Sequence, residues 1–137
     1  MYIFSDIQLL LILASLKVFD DATDSFYVTE MALESPCYDH VQKEKLKLLV
    51  EEGKIRTYSL DQSFFTFSCK ESIRYGGLHV MDFAAIYYSK INKYFLVERN
   101  PRIRECAIEN GVDALPVEEI LNTILKDKKY VAYIKNL

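Results

Sequence analysis

Apolar and polar positions alternate along this chain in short blocks, and the blocks predict strands and helices in turn. The runs typical of strands are Met1–Ser5, Phe26–Val28, Lys54–Leu60, Tyr94–Val97 and Val112–Leu115. The segments typical of helices are Ile7–Phe19, a short stretch capped by Thr29, Ser35 to Gly53, Asp61–Arg74, Val80–Lys90, Pro101–Asn110 and Val117–Leu125. Strands that alternate with helices favour a parallel sheet covered by helices on both faces. The pattern therefore predicts an α/β fold.

Several boundaries rest on single residues. Ser35-Pro36 predicts the start of a helix, because proline is tolerated at the first helical position, and Gly53 predicts its end. Phe64–Phe67 lies in a predicted helix but also fits a strand. The tail from Lys126 to Leu137 fits either an edge strand or a helix.

Length and charge limit the classes of function. With 137 residues, of which 50% are hydrophobic, the chain is expected to form one domain with a well-filled core. A net charge of -3 excludes a globally basic nucleic-acid binder, so any contact with phosphates must come from a local cluster. Arg99, Arg102 and Arg104 form the best such cluster, although basic residues on a helix also commonly just face solvent.

Cysteine usage and the apolar N-terminal segment bear on location. Cys37, Cys69 and Cys106 have no paired spacing, which argues against a disulfide scaffold or a cysteine zinc site and favours a reducing cytoplasm. The run Ile7–Leu16 has no basic residues before it and is too short to cross a bilayer. We therefore expect a cytoplasmic protein with no membrane span.

Three acids stand at predicted element ends: Asp6 after the first strand, Glu34 after a short helical run, and Asp82 before an apolar helix. Parallel sheets bind ligands beyond the carboxyl ends of their strands, where Asp6 and the turn Glu98–Asn100 both fall. If the fold gathers these acids, a hard divalent cation such as Mg²⁺ or Mn²⁺ would neutralise them and support phosphodiester hydrolysis. Asn100 would add a neutral oxygen. Alternatively, Asp82 only caps its helix and Glu34 only faces solvent.

Five blocks in this order resemble the PIN domain nucleases: Ile3–Asp6, Tyr27–Glu34, Gly77–Ile86, Phe95–Ala107 and Gly111–Ile120. The resemblance covers residues 1 to 125 and leaves 126 to 137 as a tail of the same domain. It implies a three-layer α/β/α sandwich with a mostly parallel central sheet, and an Mg²⁺- or Mn²⁺-dependent ribonuclease that cleaves RNA. In this interpretation Asp6, Glu34 and Asp82 are the metal ligands and Asn100 assists. Many small members are toxins paired with an antitoxin protein, and many form homodimers.

One departure from the family pattern leaves other functions open. Asn100 stands where the family usually has an acid, and Glu98, two residues earlier, is a candidate substitute. The alternative function is a catalytically reduced PIN-like module that binds nucleic acid or a partner protein. A phosphoacceptor regulator would need a central Asp after a mid-chain strand and a later lysine, and neither is evident. His79, three residues before Asp82, is a minor candidate for a catalytic role.

Overall fold

The computed structural model describes residues 1–20 and 24–124. Within these residues the strands are β1 (Tyr2–Phe4), β2 (Phe26–Thr29), β3 (Arg56–Tyr58), β4 (Phe95–Val97) and β5 (Ala114–Leu115). The helices are α1 (Ile7–Ser15), α2 (Met31–Glu34), α3 (His40–Glu51), α4 (Gln62–Arg74), α5 (Val80–Asn92), α6 (Pro101–Glu109) and α7 (Val117–Ile124). The tail 126–137 and the centre of the predicted loop, 21–23, lie outside the described residues.

The described strands form one sheet in the order β3-β2-β1-β4-β5, and every neighbouring pair is parallel. The central strand β1 pairs with β2 on one side and β4 on the other, with Phe4 opposite Val28 and Val97. Parallel neighbours require crossover connections, which the helices between the strands provide. The predicted α/β fold with a largely parallel sheet is confirmed.

Side-chain alternation along the strands gives the sheet two hydrophobic faces. Phe4 and Val97 pack on one face with Leu10 of α1 and Leu121 of α7. On the other face lies a second core, built from Ile3, Tyr27, Phe64, Phe83, Ile86, Leu96 and Cys106. Because both faces are covered, the molecule is a three-layer α/β/α sandwich, as predicted.

Polar side chains define most of the helix starts. The carboxylates of Asp6 and Asp61 accept hydrogen bonds from backbone N–H groups three residues later, at the starts of α1 and α4. Helix α3 begins at His40, where Asp39 and Gln42 form a reciprocal capping box, so the predicted start at Ser35-Pro36 is wrong. The alternative strand at 64–67 is also wrong, since these residues lie inside α4.

Several element ends differ from the sequence pattern. Helix α1 stops at Ser15 rather than Phe19, and Lys17 adopts a left-handed backbone with φ 58° in the turn that follows. Strand β3 is shorter than the predicted 54–60. Thr29 precedes α2 without being its N-cap residue, but its hydroxyl still accepts a hydrogen bond from the backbone N–H of Met31.

The connections leave adjacent strands β1 and β4 in opposite directions. Helix α1, which follows β1, belongs to one core, whereas α6, which follows β4, belongs to the other. Such a point opens a crevice beyond the carboxyl ends of the two strands, the usual ligand site of open parallel sheets. No helix among the described residues is long and apolar enough to cross a membrane.

Candidate functional site

A cavity of about 790 Å³ lies at this crevice. The polar and charged side chains around it are Ser5, Asp6, Gln8, Tyr38, Asp82, Glu98, Arg99, Asn100, Arg104 and Glu118. Strand β1 runs directly into Ser5 and Asp6, and β4 runs directly into Glu98, Arg99 and Asn100. Since Phe4 and Val97 are partners in the parallel pair, the residues that follow them meet across the crevice.

Asp6 is held from two sides. Its Oδ1 accepts a hydrogen bond of 3.0 Å from the backbone N–H of Leu9, which caps α1. Its Oδ2 accepts from Nε of Arg99 at 2.9 Å and lies 2.7 Å from Nη2 of the same guanidinium. The side chain of Asp6 is only 18% exposed, so this is a largely desolvated ion pair with well-directed hydrogen bonds.

Glu98 is a buried acid directly after β4, with only 4% of the residue exposed. Its Oε1 accepts from the backbone N–H groups of Arg99 and Asn100, at 2.8 and 2.9 Å, and its Oε2 accepts from the hydroxyl of Ser5. Burial raises the pKa of Glu98 because it disfavours the charged form; the Asn100 N–H and the Ser5 hydroxyl act in the opposite direction. The charges of Asp6 and Asp82 raise it further.

Asp82 lies in the first turn of α5 and faces the same cavity. Its Oδ2 accepts a 2.8 Å hydrogen bond from the backbone N–H of His79, the N-cap residue, so the cap role considered from sequence is partly correct. Burial raises the pKa of Asp82, the contact with His79 opposes this, and the charge of Asp6 adds to it. Asp6, Asp82 and Glu98 are therefore electrostatically coupled acids of one cavity.

Glu34 does not line this cavity. It ends α2 with 82% of its side chain exposed, and its Oε1 lies 3.9 Å from Nζ of Lys47. The structure thus brings Asp6 and Asp82 together but leaves out Glu34, and it adds Glu98 in its place. Among residues 1–20 and 24–124, no group of three or more His, Cys, Asp or Glu side chains is arranged to hold a single metal ion.

Of the predicted amide and arginine residues, some line the cavity and one does not. Asn100 lines the cavity, but its Oδ1 caps α6 by accepting from the backbone N–H of Arg102 at 2.9 Å. Arg99 and Arg104 also line the cavity, whereas the guanidinium of Arg102 lies over the ring of Tyr75, 5.7 Å from its centre. Only two of the three predicted arginines can therefore face a ligand in this cavity.

Four further polar residues of the cavity were not assigned a role from the sequence: Ser5, Gln8, Tyr38 and Glu118. Ser5 precedes Asp6, and its hydroxyl binds Glu98. Tyr38 comes from the loop between α2 and α3; burial raises its pKa to about 12, with the charges of Cys37, Asp82, Asp6 and Glu98 contributing. Ser5 could have been found from its place at the strand end, but the sequence around Tyr38 gives no such signal.

His79 serves the helix rather than the cavity. Its Nδ1 accepts a hydrogen bond from the backbone N–H of Met81 at 3.1 Å, and its Nε2 lies 3.5 Å from Sγ of Cys37. It is not among the residues that line the cavity. The structure therefore gives His79 a capping role at the start of α5 and a contact with Cys37 in the loop between α2 and α3.

The charges of the cavity lining are unequal. Four carboxylates, those of Asp6, Asp82, Glu98 and Glu118, face it with two guanidinium groups, those of Arg99 and Arg104. With all four acids ionised, the lining carries an excess of two negative charges. Oxygen donors with such an excess suit a hard divalent cation, which is the chemistry predicted for the site.

Comparison with solved structures places this fold beside two archaeal proteins. A PilT N-terminus domain protein from Sulfolobus solfataricus P2 superposes with a TM-score of 0.49 at 17% identity, covering 93% of this chain and 96% of that one. The protein PAE2754 from Pyrobaculum aerophilum gives a TM-score of 0.58 at 12% identity, covering 92% of this chain and 97% of that one. No family model matches the sequence, and no curated protein matches it.

At such identities the likeness concerns the fold and says nothing about activity. The likeness to PAE2754 extends over nearly the whole of both chains. The chain therefore has the α/β/α sandwich with a parallel central sheet that its sequence blocks predicted.

Proposed function

We propose that this protein is a divalent-metal-dependent nuclease that hydrolyses RNA phosphodiester bonds in the cavity beyond β1 and β4. The observation that carries the proposal is the cluster of Asp6, Asp82 and Glu98 around one cavity at the switch point of a PIN-like sheet. The pKa values of Asp82 and Glu98 are raised mainly by burial and further by neighbouring carboxylates, and acids perturbed in this way within a cavity are typical of functional sites. Glu98, the candidate substitute for the acid missing at position 100, joins Asp6 and Asp82, whereas Glu34 does not line the cavity.

Asp6, Asp82 and Glu98 would hold the cation, with Asn100 beside them, once their carboxylates draw together around it, since no three of them surround one point in the described residues. When bound, an Mg²⁺ or Mn²⁺ ion would activate water and neutralise charge on the phosphate. The chain's own groups prepare this site before the ion arrives. The backbone N–H groups of Arg99 and Asn100 and the hydroxyl of Ser5 orient the carboxylate of Glu98.

Cations on the cavity wall favour an anionic substrate. Arg104 lies on the wall with its Nη2 3.5 Å from the carbonyl oxygen of Ala114, and its Nε is buried without a hydrogen-bond partner in the described structure. A guanidinium with unused donors is suited to phosphate oxygens. The start of α6 faces the same space, and its partial positive charge adds to the attraction.

The experiment is cleavage of a single-stranded RNA with Mn²⁺ and with EDTA, by the wild type and by Asp6→Asn, Asp82→Asn and Glu34→Gln. Asparagine retains the cap acceptor at both aspartates while removing the charge. Outer-sphere substitutions at metal sites typically cost about 10- to 100-fold, so we expect both aspartate variants to lose at least about 100-fold. Glu34→Gln is the matched control and should cleave like the wild type. Equal cleavage by all four proteins, or cleavage that persists in EDTA, contradicts the proposal.

A second function is favoured by two observations. Arg99 neutralises Asp6 in this structure, and Asn100 stands where the family usually has an acid. A binding module that keeps the fold without catalysis would show these features. This alternative predicts that the protein binds RNA without cleaving it and gives no heat when it is titrated with Mn²⁺. The roles of toxin, antitoxin partner and homodimer remain predictions from the sequence resemblance.

A further inference from the structure

Arg99 places a cation on the carboxylate at the centre of the proposed site. Two of its nitrogens, Nε and Nη2, meet the same oxygen, Oδ2 of Asp6, at 2.9 and 2.7 Å. The two side chains are 28% and 18% exposed, so water screens their attraction only in part. The other oxygen of Asp6 is already used by the backbone N–H of Leu9. Both oxygens of this carboxylate are therefore occupied by groups of the chain itself.

The position of Arg99 is built into the sheet. Phe4 and Val97 are register partners, so Asp6 and Arg99 each stand two residues beyond a partner of the same pair. The backbone N–H of Arg99 donates to Oε1 of Glu98, which fixes the chain at this point. The ion pair thus follows from strand register. Arg102 differs, because it lies in α6 and its guanidinium contacts the ring of Tyr75 instead.

A divalent cation and a guanidinium cannot share this site without cost. Both would bind the carboxylate of Asp6, and two cations within a few ångströms repel each other most strongly where water is scarce. A metal ion that binds Asp6 must displace Arg99 or accept its repulsion. Either event lowers the apparent affinity for the metal.

We propose that Arg99 is an internal counter-ion that competes with the divalent metal for Asp6 and thereby sets the metal affinity of the site. This inference rests on the proposed function. Arg99 acts here as a positioning residue, through Asp6. In the absence of metal it keeps the acidic cavity neutralised and ordered, and metal binds only at concentrations that outcompete it.

The test is calorimetric titration of Mn²⁺ into the EDTA-treated and dialysed wild type, Arg99→Gln, Arg99→Lys and Arg102→Gln. Arg102→Gln removes an equal charge from the neighbouring helix without touching Asp6, so it is the matched control. A hydrogen-bonded ion pair of this kind is worth at least about a fivefold change in an equilibrium constant, so Arg99→Gln should bind Mn²⁺ at least about fivefold more tightly. Arg99→Lys, with one point charge in place of the fork, should lie between the two, and Arg102→Gln should match the wild type.

Each outcome is informative. A purely structural role predicts weaker Mn²⁺ binding in Arg99→Gln, because Asp6 would lose its orientation, and that result overturns the inference. Equal affinity in Arg99→Gln and Arg102→Gln also overturns it, while RNA cleavage by the wild type would leave the proposed function intact. If none of the four proteins binds Mn²⁺, both the inference and the proposed function fail. If Arg99→Gln does not fold, the Mn²⁺ affinity of Arg99→Lys is compared with that of the wild type. Tighter binding by Arg99→Lys supports the inference, and equal or weaker binding overturns it.

Discussion

The hydroxyl of Ser5, directly after β1, donates a hydrogen bond to Oε2 of Glu98, directly after β4. This bond joins the two strands at the point where the sheet changes its direction of winding. It also turns the carboxylate of Glu98 toward the cavity that Asp6 and Asp82 share. The third acid of the proposed site is therefore selected by strand register.

The first prediction separates Glu98 from Glu34 as the third acid. Glu98→Gln keeps hydrogen-bonding groups for the backbone N–H donors and for Ser5 but removes one charge from the cavity. We expect it to weaken Mn²⁺ binding by at least about tenfold, because a direct ligand should cost no less than an outer-sphere one. Glu34→Gln removes an exposed carboxylate near Lys47 and should leave the affinity unchanged. Calorimetry on both variants decides the point, and the reverse order of effects would restore Glu34 to the site.

A second prediction concerns stability against pH in the absence of metal. Burial raises the pKa of Glu98 in the folded protein above its ordinary value of 4.5. The folded state therefore holds this proton more tightly than the unfolded state, so the contribution of Glu98 to stability increases as the pH falls through the raised pKa. Above that pKa, the charged Glu98 costs stability that a neutral glutamine does not.

Glu98→Gln should accordingly be more stable than the wild type at pH 8, and the difference should shrink as the pH approaches 4.5. Urea unfolding of both proteins in EDTA, at several pH values, measures the difference in the free energy of unfolding. Glu34→Gln, at an exposed position, serves as the control and should show no such trend. The assignment is refuted if the gain in the free energy of unfolding of Glu98→Gln over the wild type is larger at pH 5 than at pH 8.

A third prediction tests the fold away from the site. Lys93 ends α5 in the left-handed conformation, with φ 58° and ψ 42°, which residues other than glycine rarely adopt. Lys93→Gly should remove this strain and stabilise the protein by roughly 0.5–1 kcal/mol. Lys90 is an exposed residue inside the same helix, and Lys90→Gly should destabilise the protein by about 0.5–1 kcal/mol. Thermal unfolding with the same sign for both variants would contradict the described end of α5.

Much of the fold could be predicted because its signals are local. Apolar runs separated by polar residues locate each strand, and Asp6, Asp61 and Pro101 mark helix starts through side-chain or ring geometry. The start of α3 was mistaken because Ser35-Pro36 and Asp39 are both plausible start signals four residues apart. Only the reciprocal bonds between Asp39 and Gln42 distinguish them, and these form in three dimensions.

The site was only partly predictable for a different reason. Asp6 and Asp82 are fixed by their places at a strand end and in a first helical turn, which the sequence shows. Whether Glu34 or Glu98 joins them depends on the direction in which each side chain points. That direction follows from the four-residue helix α2 in one case and from the pairing of β1 with β4 in the other. Neither relation can be read from the order of residues.

The central claim is that Asp6, Asp82 and Glu98 form a divalent-metal site, and crystals grown with Mn²⁺ test it most directly. An anomalous difference map should show a peak in the cavity, in contact with a carboxylate oxygen of Asp6 and with oxygens of Asp82 or Glu98, with Arg99 moved away from Asp6. A cavity without a peak at saturating Mn²⁺, or a peak bound by Glu34 instead, would contradict the account.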